Sequence, residues 1–459
     1  MNKMESFKSI VIEAGLNKLL NLSSRVTNEE LINLLVWVKR FTRNKKYRET
    51  IDQAIKGIKE GHPWVELSKR IVREWHPNYR RLLVNIFVNS VFLGVNLRED
   101  FEQETGFLPP SVLVISPTMR CNLFCQGCYA YQYKKENDLS LEIVDRIITE
   151  AKEMGIYFYT ISGGEPFFNK DLLKIYNKHN DAAFHIYTNG TLLDKDYINK
   201  LVDLGNVIPL ISLEGSEEET DKRRGKGIYE KVMGVMDNLK SQGVPFGFSV
   251  THTSLNTKTI ISDSFIDLMI KKGAVIGWYF QYIPIGRDPD LNLMPSPEDR
   301  NLRRKAVLRW RNEKPIAVYD FWNDGHLTNG CIAGGRRYCH INNNGDVEPC
   351  VFTHFAVDNI KGKTLKEVLT SPFFKAIQNQ QPFKDDTEKK PNLLRPCMII
   401  DHPEKLRELV KQFNAYPTCE EAEEILDGNL ALGLDSYSRE WKKTSTPVWE
   451  NNYQQYQEK

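Results

Sequence analysis

Apolar residues change their spacing once, near position 110, and the change divides the chain. Up to about Glu104 they recur at helix intervals, as in Leu31 to Phe41 and Ile51 to Ile58, with Pro63 and Pro77 as punctuation. From Ser111 onward, short apolar runs alternate with longer amphipathic ones. Strands are predicted at Val112 to Ile115, Tyr157 to Ile161, Phe184 to Tyr187, Val207 to Ile211, Phe246 to Val250 and Ile276 to Ile283. Helices are predicted between them, at Leu141 to Met154, Leu172 to His179, Tyr197 to Leu204, Tyr229 to Gln242 and Phe265 to Lys272. Such alternation implies parallel pairing through right-handed crossovers. The expected fold is α/β, a partial TIM-like (β/α)6 barrel. The expected division is a helical region at 1–105, the barrel at 106–290, a connecting segment at 291–325, a small α+β extension at 326–403 and a helical tail at 404–459.

One stretch departs from the amphipathic pattern. Leu82 to Val95 is strongly apolar and follows Arg80-Arg81. It predicts a helix buried against the next domain, with an interfacial, lipid-contacting helix as the alternative. Asn85 and Asn89 argue against a spanning helix, and no apolar run approaches the roughly 20 residues a bilayer requires.

Composition adds exclusions. A net charge of +2 over 459 residues gives no bulk attraction to nucleic acid. Eight cysteines are too few for a disulfide scaffold at this length, and their clustering points to metal sites in a reducing compartment. Met1-Asn2-Lys3-Met4-Glu5 has no apolar signal core. The expectation is a cytoplasmic protein, with peripheral membrane contact as an option.

The densest chemistry lies just after the first strand. Cys121, Cys125 and Cys128 are spaced by three residues and then two. A [4Fe–4S] cube normally takes four thiolates, so three leave one iron open to a substrate or cofactor. A zinc knuckle is the competing reading, but zinc wants a closed tetrahedron and no fourth Cys or His lies near. The remaining motifs keep phase with the barrel, each following a strand: Gly163-Gly164-Glu165-Pro166, Thr188-Asn189-Gly190-Thr191, Ser212-Leu213-Glu214-Gly215 and Ile283-Pro284-Ile285-Gly286. Parallel barrels carry their chemistry at those ends. Read alone, the glycine pair is a strand-to-helix turn and Asn189-Gly190 a turn former.

Together these motifs resemble the radical S-adenosylmethionine (SAM) superfamily, whose cluster motif is Cys-x3-Cys-x2-Cys. The resemblance covers roughly 109–403. It implies a catalytic [4Fe–4S] cluster on Cys121, Cys125 and Cys128. It also implies SAM bound at the open iron, and its reductive cleavage to a 5′-deoxyadenosyl radical that takes hydrogen from an unactivated carbon. Gly163, Gly164 and Glu165 would hold the methionine amino group. Asn189, Ser212 and Glu214 would approach the ribose and carboxylate, although Glu214 stands where Asp is often found. An arginine of the Asp221 to Tyr229 segment, with Arg223 as the candidate, would pair with the carboxylate. The other reading of that segment is a solvated charged loop.

Farther on, Cys331 is followed by a predicted hairpin turning at Asn343-Asn344-Gly345-Asp346, then by Cys350, and later by Cys397. This resembles the SPASM or twitch extension, which carries an auxiliary iron–sulfur cluster. The dense later cysteine run of a full SPASM domain is absent, so one auxiliary cluster is expected on Cys331, Cys350 and Cys397. Its fourth ligand is Cys339, His354, substrate or none, while Cys419 reads as isolated and structural. Trp278, Tyr279, Phe280, Tyr282, Phe321 and Trp322 predict either core packing or the rim of an apolar pocket, with Asp320, Asn323 and Asp324 as polar anchors.

The expected function is therefore a radical SAM enzyme with a low-potential ferredoxin or flavodoxin as electron donor. The whole-chain layout is similar to a broad radical SAM group linked to joining or altering lipid tails, which favours a lipid chain as substrate. The alternative is a peptide maturase of SPASM type. The helical N-terminal region does not read as a winged-helix leader-binding domain. The non-enzyme alternatives are a cluster- or zinc-stabilised interaction protein, for which intact motifs are unexpected, and a ferredoxin-like carrier, which needs no SAM-binding barrel.

Overall fold

A computed structural model describes residues 27–40, 45–87, 89–90, 94–384 and 390–453. Seven parallel strands form the barrel wall: β1 (Leu113–Thr118), β2 (Phe158–Gly163), β3 (Ala183–Thr188), β4 (Val207–Leu213), β5 (Gly247–His252), β6 (Ile276–Gln281) and β7 (Ala317–Asp320). Helices cross between neighbouring strands and cover the outer face. Their starts follow from side-chain caps: Ser140 accepts from the Ile143 N–H, Asp194 from Tyr197 and Ser262 from Phe265. Alternate strand residues such as Leu113, Ile115, Tyr159, Ile161, Phe184 and Ile186 are buried beneath these helices. The residues between them face the barrel interior.

The six predicted strand–helix units are present, and the wall has a seventh unit within 291–325. Helix Pro297–Glu313 leads into β7, which pairs in parallel with β6. That helix hides from a hydrophobicity count because its buried face carries Arg300, Arg303 and Arg304. The predicted hairpin is also present, as β8 (His340–Ile341) and β9 (Val347–Glu348), with Gly345 at a φ of +86° in the turn. Strand β8 pairs in parallel with β1, so the extension continues the barrel wall past its first strand.

The amino-terminal region forms helices at Asn28–Lys39, Lys45–Glu60, Trp64–Glu74, Pro77–Phe87 and Gly94–Thr105. Leu82 and Val84 are buried, and the Tyr79 hydroxyl donates to the carbonyls of Leu201 and Val207 on the barrel. This part of the apolar stretch is therefore core. Val88 and residues 91–93 of it lie outside the described residues. No described helix is long and apolar enough to cross a membrane. The carboxyl-terminal part forms helices Pro403–Phe413 and Gly428–Asn452, the second packed on Pro297–Glu313.

Candidate active site

A cavity of about 630 Å³ runs through the barrel interior. Strand alternation decides what lines it, since successive side chains point to opposite faces. Val112 just before β1, Val114 of β1, Phe158, Thr160 and Ser162 of β2, His185 and Tyr187 of β3, and Ile276, Trp278 and Phe280 of β6 all face inward. Toward the carboxyl ends of the strands the wall turns polar, with Ser162, Ser212, Ser249 and Thr251. Lower down it is mainly apolar and aromatic. No Asp or Glu lines the cavity among the described residues. His185, in edge contact with Phe158, is held neutral by burial, which lowers its pKa to about 4.

The three cysteines of the first loop open onto the polar end of this cavity. Their loop is fastened from several sides. The Gln126 N–H donates to the Arg223 carbonyl, and the Arg223 guanidinium returns bonds to the carbonyls of Gln126 and Gly127. Gly127 holds a φ of +61° with the Tyr282 ring against it, where a Cβ would lie 2.5 Å from that ring. The Tyr129 hydroxyl meets the Ser162 hydroxyl at 2.7 Å. Burial is the main influence raising Cys121 to about 11, and Cys125 and Cys128 add to it. Thiols that oppose each other's ionisation fit a cationic cluster, which would relieve that repulsion.

The remaining predicted residues fall into two groups. Gly163, Gly164, Asn189, Ser212 and Arg223 line the cavity beside the cysteines. Glu165 and Glu214 do not line it; they hold its walls in place. Glu165 is fully buried and accepts from the N–H groups of Phe167 and Asn189 and from the Thr188 hydroxyl. Burial pushes its carboxyl up to about 7 against those three bonds. Glu214 accepts from Arg223 and Arg224 at 2.6 Å each and from the Thr251 N–H. Both arginines of the charged segment thus sit on the cavity wall, and Arg224 stands there beside the predicted Arg223.

Gly164 makes the sharpest steric demand. A Cβ there would lie 2.3 Å from the Arg120 carbonyl oxygen and 2.6 Å from that of Met119, both leading into the cysteine loop. Gly164→Ala is expected to displace that loop and cut the rate of SAM cleavage by about 100-fold. The check is 5′-deoxyadenosine release per cluster, with iron measured in the same sample.

Cys331, Cys350 and Cys397 are all buried, and their mutual charge influence marks them as neighbours. Each receives a backbone N–H from two residues on, namely Ala333, Phe352 and Ile399. Cys121 and Cys128 receive the same bond, from Leu123 and Ala130. N–H···S bonds favour the thiolate and tune cluster potential, and this shared geometry was not visible in the spacing. The other candidate ligands lie apart. Cys339 is buried, and burial pushes it up to about 12 with no cysteine among its influences. The His354 Nδ1 meets the Cys419 Sγ at 3.1 Å. Cys419 is therefore not isolated as expected, because the β10 (Phe355–Ala356) and β11 (Tyr416–Pro417) pairing brings those loops together. Among the described residues, no group of three His, Cys, Asp or Glu side chains draws together as one metal ion requires. A cube instead takes its ligands on separate corners.

The aromatic cluster splits by strand parity. Trp278, Phe280, Tyr282 and Phe321 line the cavity, while Tyr279 and Trp322 are buried outside it. The anticipated polar anchors serve the scaffold: Asp320 pairs with Arg303, Asn323 bonds to Arg300, and Asp324 pairs with Arg311.

Two family models match the chain. A family model described as the radical SAM superfamily matches residues 115–263, and one described as an iron–sulfur cluster-binding domain, SPASM, matches residues 331–398. The chain is 35% identical over 154 residues to Fe-coproporphyrin III synthase of Methanosarcina barkeri, covering 32% of this chain and 39% of that one. The chain thus spans well under half the length of that relative. It is 29% identical over 273 residues to the mycofactocin maturase MftC of Mycolicibacterium smegmatis, covering 56% and 67%. The crystal structure of Streptococcus suis SuiB bound to precursor peptide SuiA superimposes with a TM-score of 0.55 over 70% of this chain and 76% of that one. At 19% identity, that likeness is one of fold.

Proposed function

Since this chain is a radical SAM enzyme with a SPASM extension, we propose that it takes hydrogen from an apolar chain carbon of a lipid-like substrate lying in the barrel interior. The observation that carries this reading is the wall itself: mainly apolar and aromatic below the cysteine end, without a carboxylate among the described residues. A hydrocarbon chain has no polar group to satisfy and gains about 0.8 kcal/mol for each CH₂ it buries. A peptide backbone in the same space would bring N–H and C=O groups that need partners.

With the [4Fe–4S] cluster and SAM bound, the chemistry supplied is one-electron cleavage of the sulfonium to a radical that abstracts hydrogen. The residues of this chain do the rest. Cys121, Cys125 and Cys128 would hold the cluster. Gly163 and Gly164 bring bare backbone to the same end, and Asn189 and Ser212 offer an amide and a hydroxyl there. Glu214 fixes Arg223 and Arg224 on the wall. The aromatic interior keeps water from the reacting carbon. Cys331, Cys350 and Cys397 would hold the auxiliary cluster, a place for an electron to leave or reach a substrate radical. A ferredoxin or flavodoxin would supply the low-potential electron, and contact with a membrane surface would give a lipid chain its route in.

A second reading, a peptide maturase, is favoured by the similarity to the mycofactocin maturase. One assay separates them. Anaerobically reconstituted, reduced protein is given SAM with a cellular lipid extract or a protease-released peptide fraction. Stimulated 5′-deoxyadenosine release with lipid alone is the expected result. Stimulation with peptide alone replaces the lipid reading by the maturase.

A further inference from the structure

The cavity does not end inside the barrel. Its far end lies at the amino-terminal ends of the strands, where Ser111, Ile276, Tyr319, Leu327 and Arg337 line it. Leu327 is 55% exposed there and Tyr319 39%. Large apolar side chains left in water at a cavity rim mark an opening, opposite the cysteine end. The position of Arg337 is fixed by the backbone, since its carbonyl accepts from the N–H groups of both Ser111 and Val112 as β1 begins.

No described acidic side chain pairs with the two arginines at this opening. Arg336 gives its guanidinium to the carbonyls of Thr328, Asn329 and Cys331. Arg337, half-buried on the cavity wall, has no side-chain partner among the described residues. Among the described residues, no acidic side chain lines the cavity to neutralise it. Among the described residues, these two adjacent arginines beside an apolar channel have no acidic side chain as partner. The other wall cations are committed at the cysteine end: Arg223 and Arg224 to Glu214, and Arg287 and Lys135 over the Tyr131 ring at 3.7 and 4.2 Å.

We propose that Arg337 binds the anionic head, a carboxylate or phosphate monoester, of a substrate whose alkyl chain runs up the barrel toward the cysteine end. The inference rests on the reading that the barrel interior holds an apolar chain, and it adds how that chain is oriented and measured. From Val112 to Thr118 the wall rises by about 3.3 Å per residue, about 20 Å in all. The head at Arg337 then sets which carbon reaches the cysteine end, and the channel acts as a ruler. The guanidinium fork suits both oxyanions, because each offers two oxygens to parallel N–H donors.

The test is equilibrium binding to the reconstituted holoenzyme, read by displacement of the fluorescent fatty acid cis-parinaric acid. The competitors are dodecanoate, dodecyl phosphate and dodecan-1-ol. The anionic competitors are expected to bind about 10- to 100-fold more tightly than the alcohol. Arg337→Gln abolishes that preference while the alcohol binds as before, which also shows that the variant is folded. Arg337→Lys keeps part of it, and Arg287→Gln keeps all of it. The two anions compared with each other distinguish a carboxylate head from a phosphate head. A preference for anions that survives in Arg337→Gln overturns the anchor and leaves the apolar-chain reading standing. Failure of cis-parinaric acid and all three competitors to bind wild-type protein overturns both.

Discussion

Anaerobically reconstituted Cys125→Ala protein is expected to release no 5′-deoxyadenosine above background and to contain about four fewer irons per chain than the wild type. The same holds for Cys121→Ala and Cys128→Ala. The loop places all three thiols at one end of one cavity, and a cube held by three ligands does not survive the loss of one. The loss is specific to this loop. Cys331, Cys350 and Cys397 lie in the other domain match, so iron bound there is expected to remain. Cys339→Ala is the control: a fully buried thiol with none of the other cysteines as a charge influence, whose loss is expected to leave both iron pools intact. Iron analysis with the absorption spectrum checks all four variants. Full activity in Cys125→Ala, or iron loss in Cys339→Ala, would contradict the ligand assignment.

The second large effect is on stability. Arg300→Met is expected to destabilise the protein by about 3–5 kcal/mol, because it leaves Asp401 buried and unpaired. Both side chains are fully buried and meet at 2.6 Å. Arg300 also donates to the carbonyls of Trp322 and Leu394 and lies 4.2 Å over the Trp441 ring. One guanidinium thus joins the seventh strand unit, the cysteine extension and the final helix. The second Asp401 oxygen accepts from the Cys397 N–H at 3.0 Å, so damage should reach the auxiliary ligands before the catalytic ones. Denaturant unfolding with iron analysis checks this: the auxiliary iron falls first while the first loop keeps its own. Replacing both partners with apolar residues of similar volume should restore much of the stability, since the cost comes from the orphaned charge. An Arg300→Met variant as stable as wild type would show that water or another group satisfies Asp401.

Local order in the sequence made the barrel legible. Its first six strands alternate apolar runs with capped amphipathic helices, and each motif follows a strand end. Side-chain period and cap chemistry act within a few residues, so they can be read without the fold. The first-loop spacing and the glycine pair were legible for the same reason. The seventh strand was not: Ala317–Asp320 is four residues long, and the helix before it buries arginines where apolar residues would announce it. Charge that is satisfied only by distant partners has no local signature.

The division of labour among charged residues followed the same line. Glu165 and Glu214 stand in motifs beside the cysteine end, yet their carboxylates turn to backbone N–H groups and to arginines of the walls. Asp320, Asn323 and Asp324 looked like pocket anchors and are bound by Arg303, Arg300 and Arg311. Cys419 looked solitary and meets His354 across 65 residues of chain. The chain by itself determined the fold class, the grouping of the first-loop cysteines and the phase of motifs on strands, because these depend on spacing along the backbone. Only the tertiary structure decided which aromatics face the channel, which acids are spent on structure, and that Arg337 stands at the far opening with no side-chain partner among the described residues. Those outcomes depend on strand parity and on partners far apart in the chain, and no local pattern carries them.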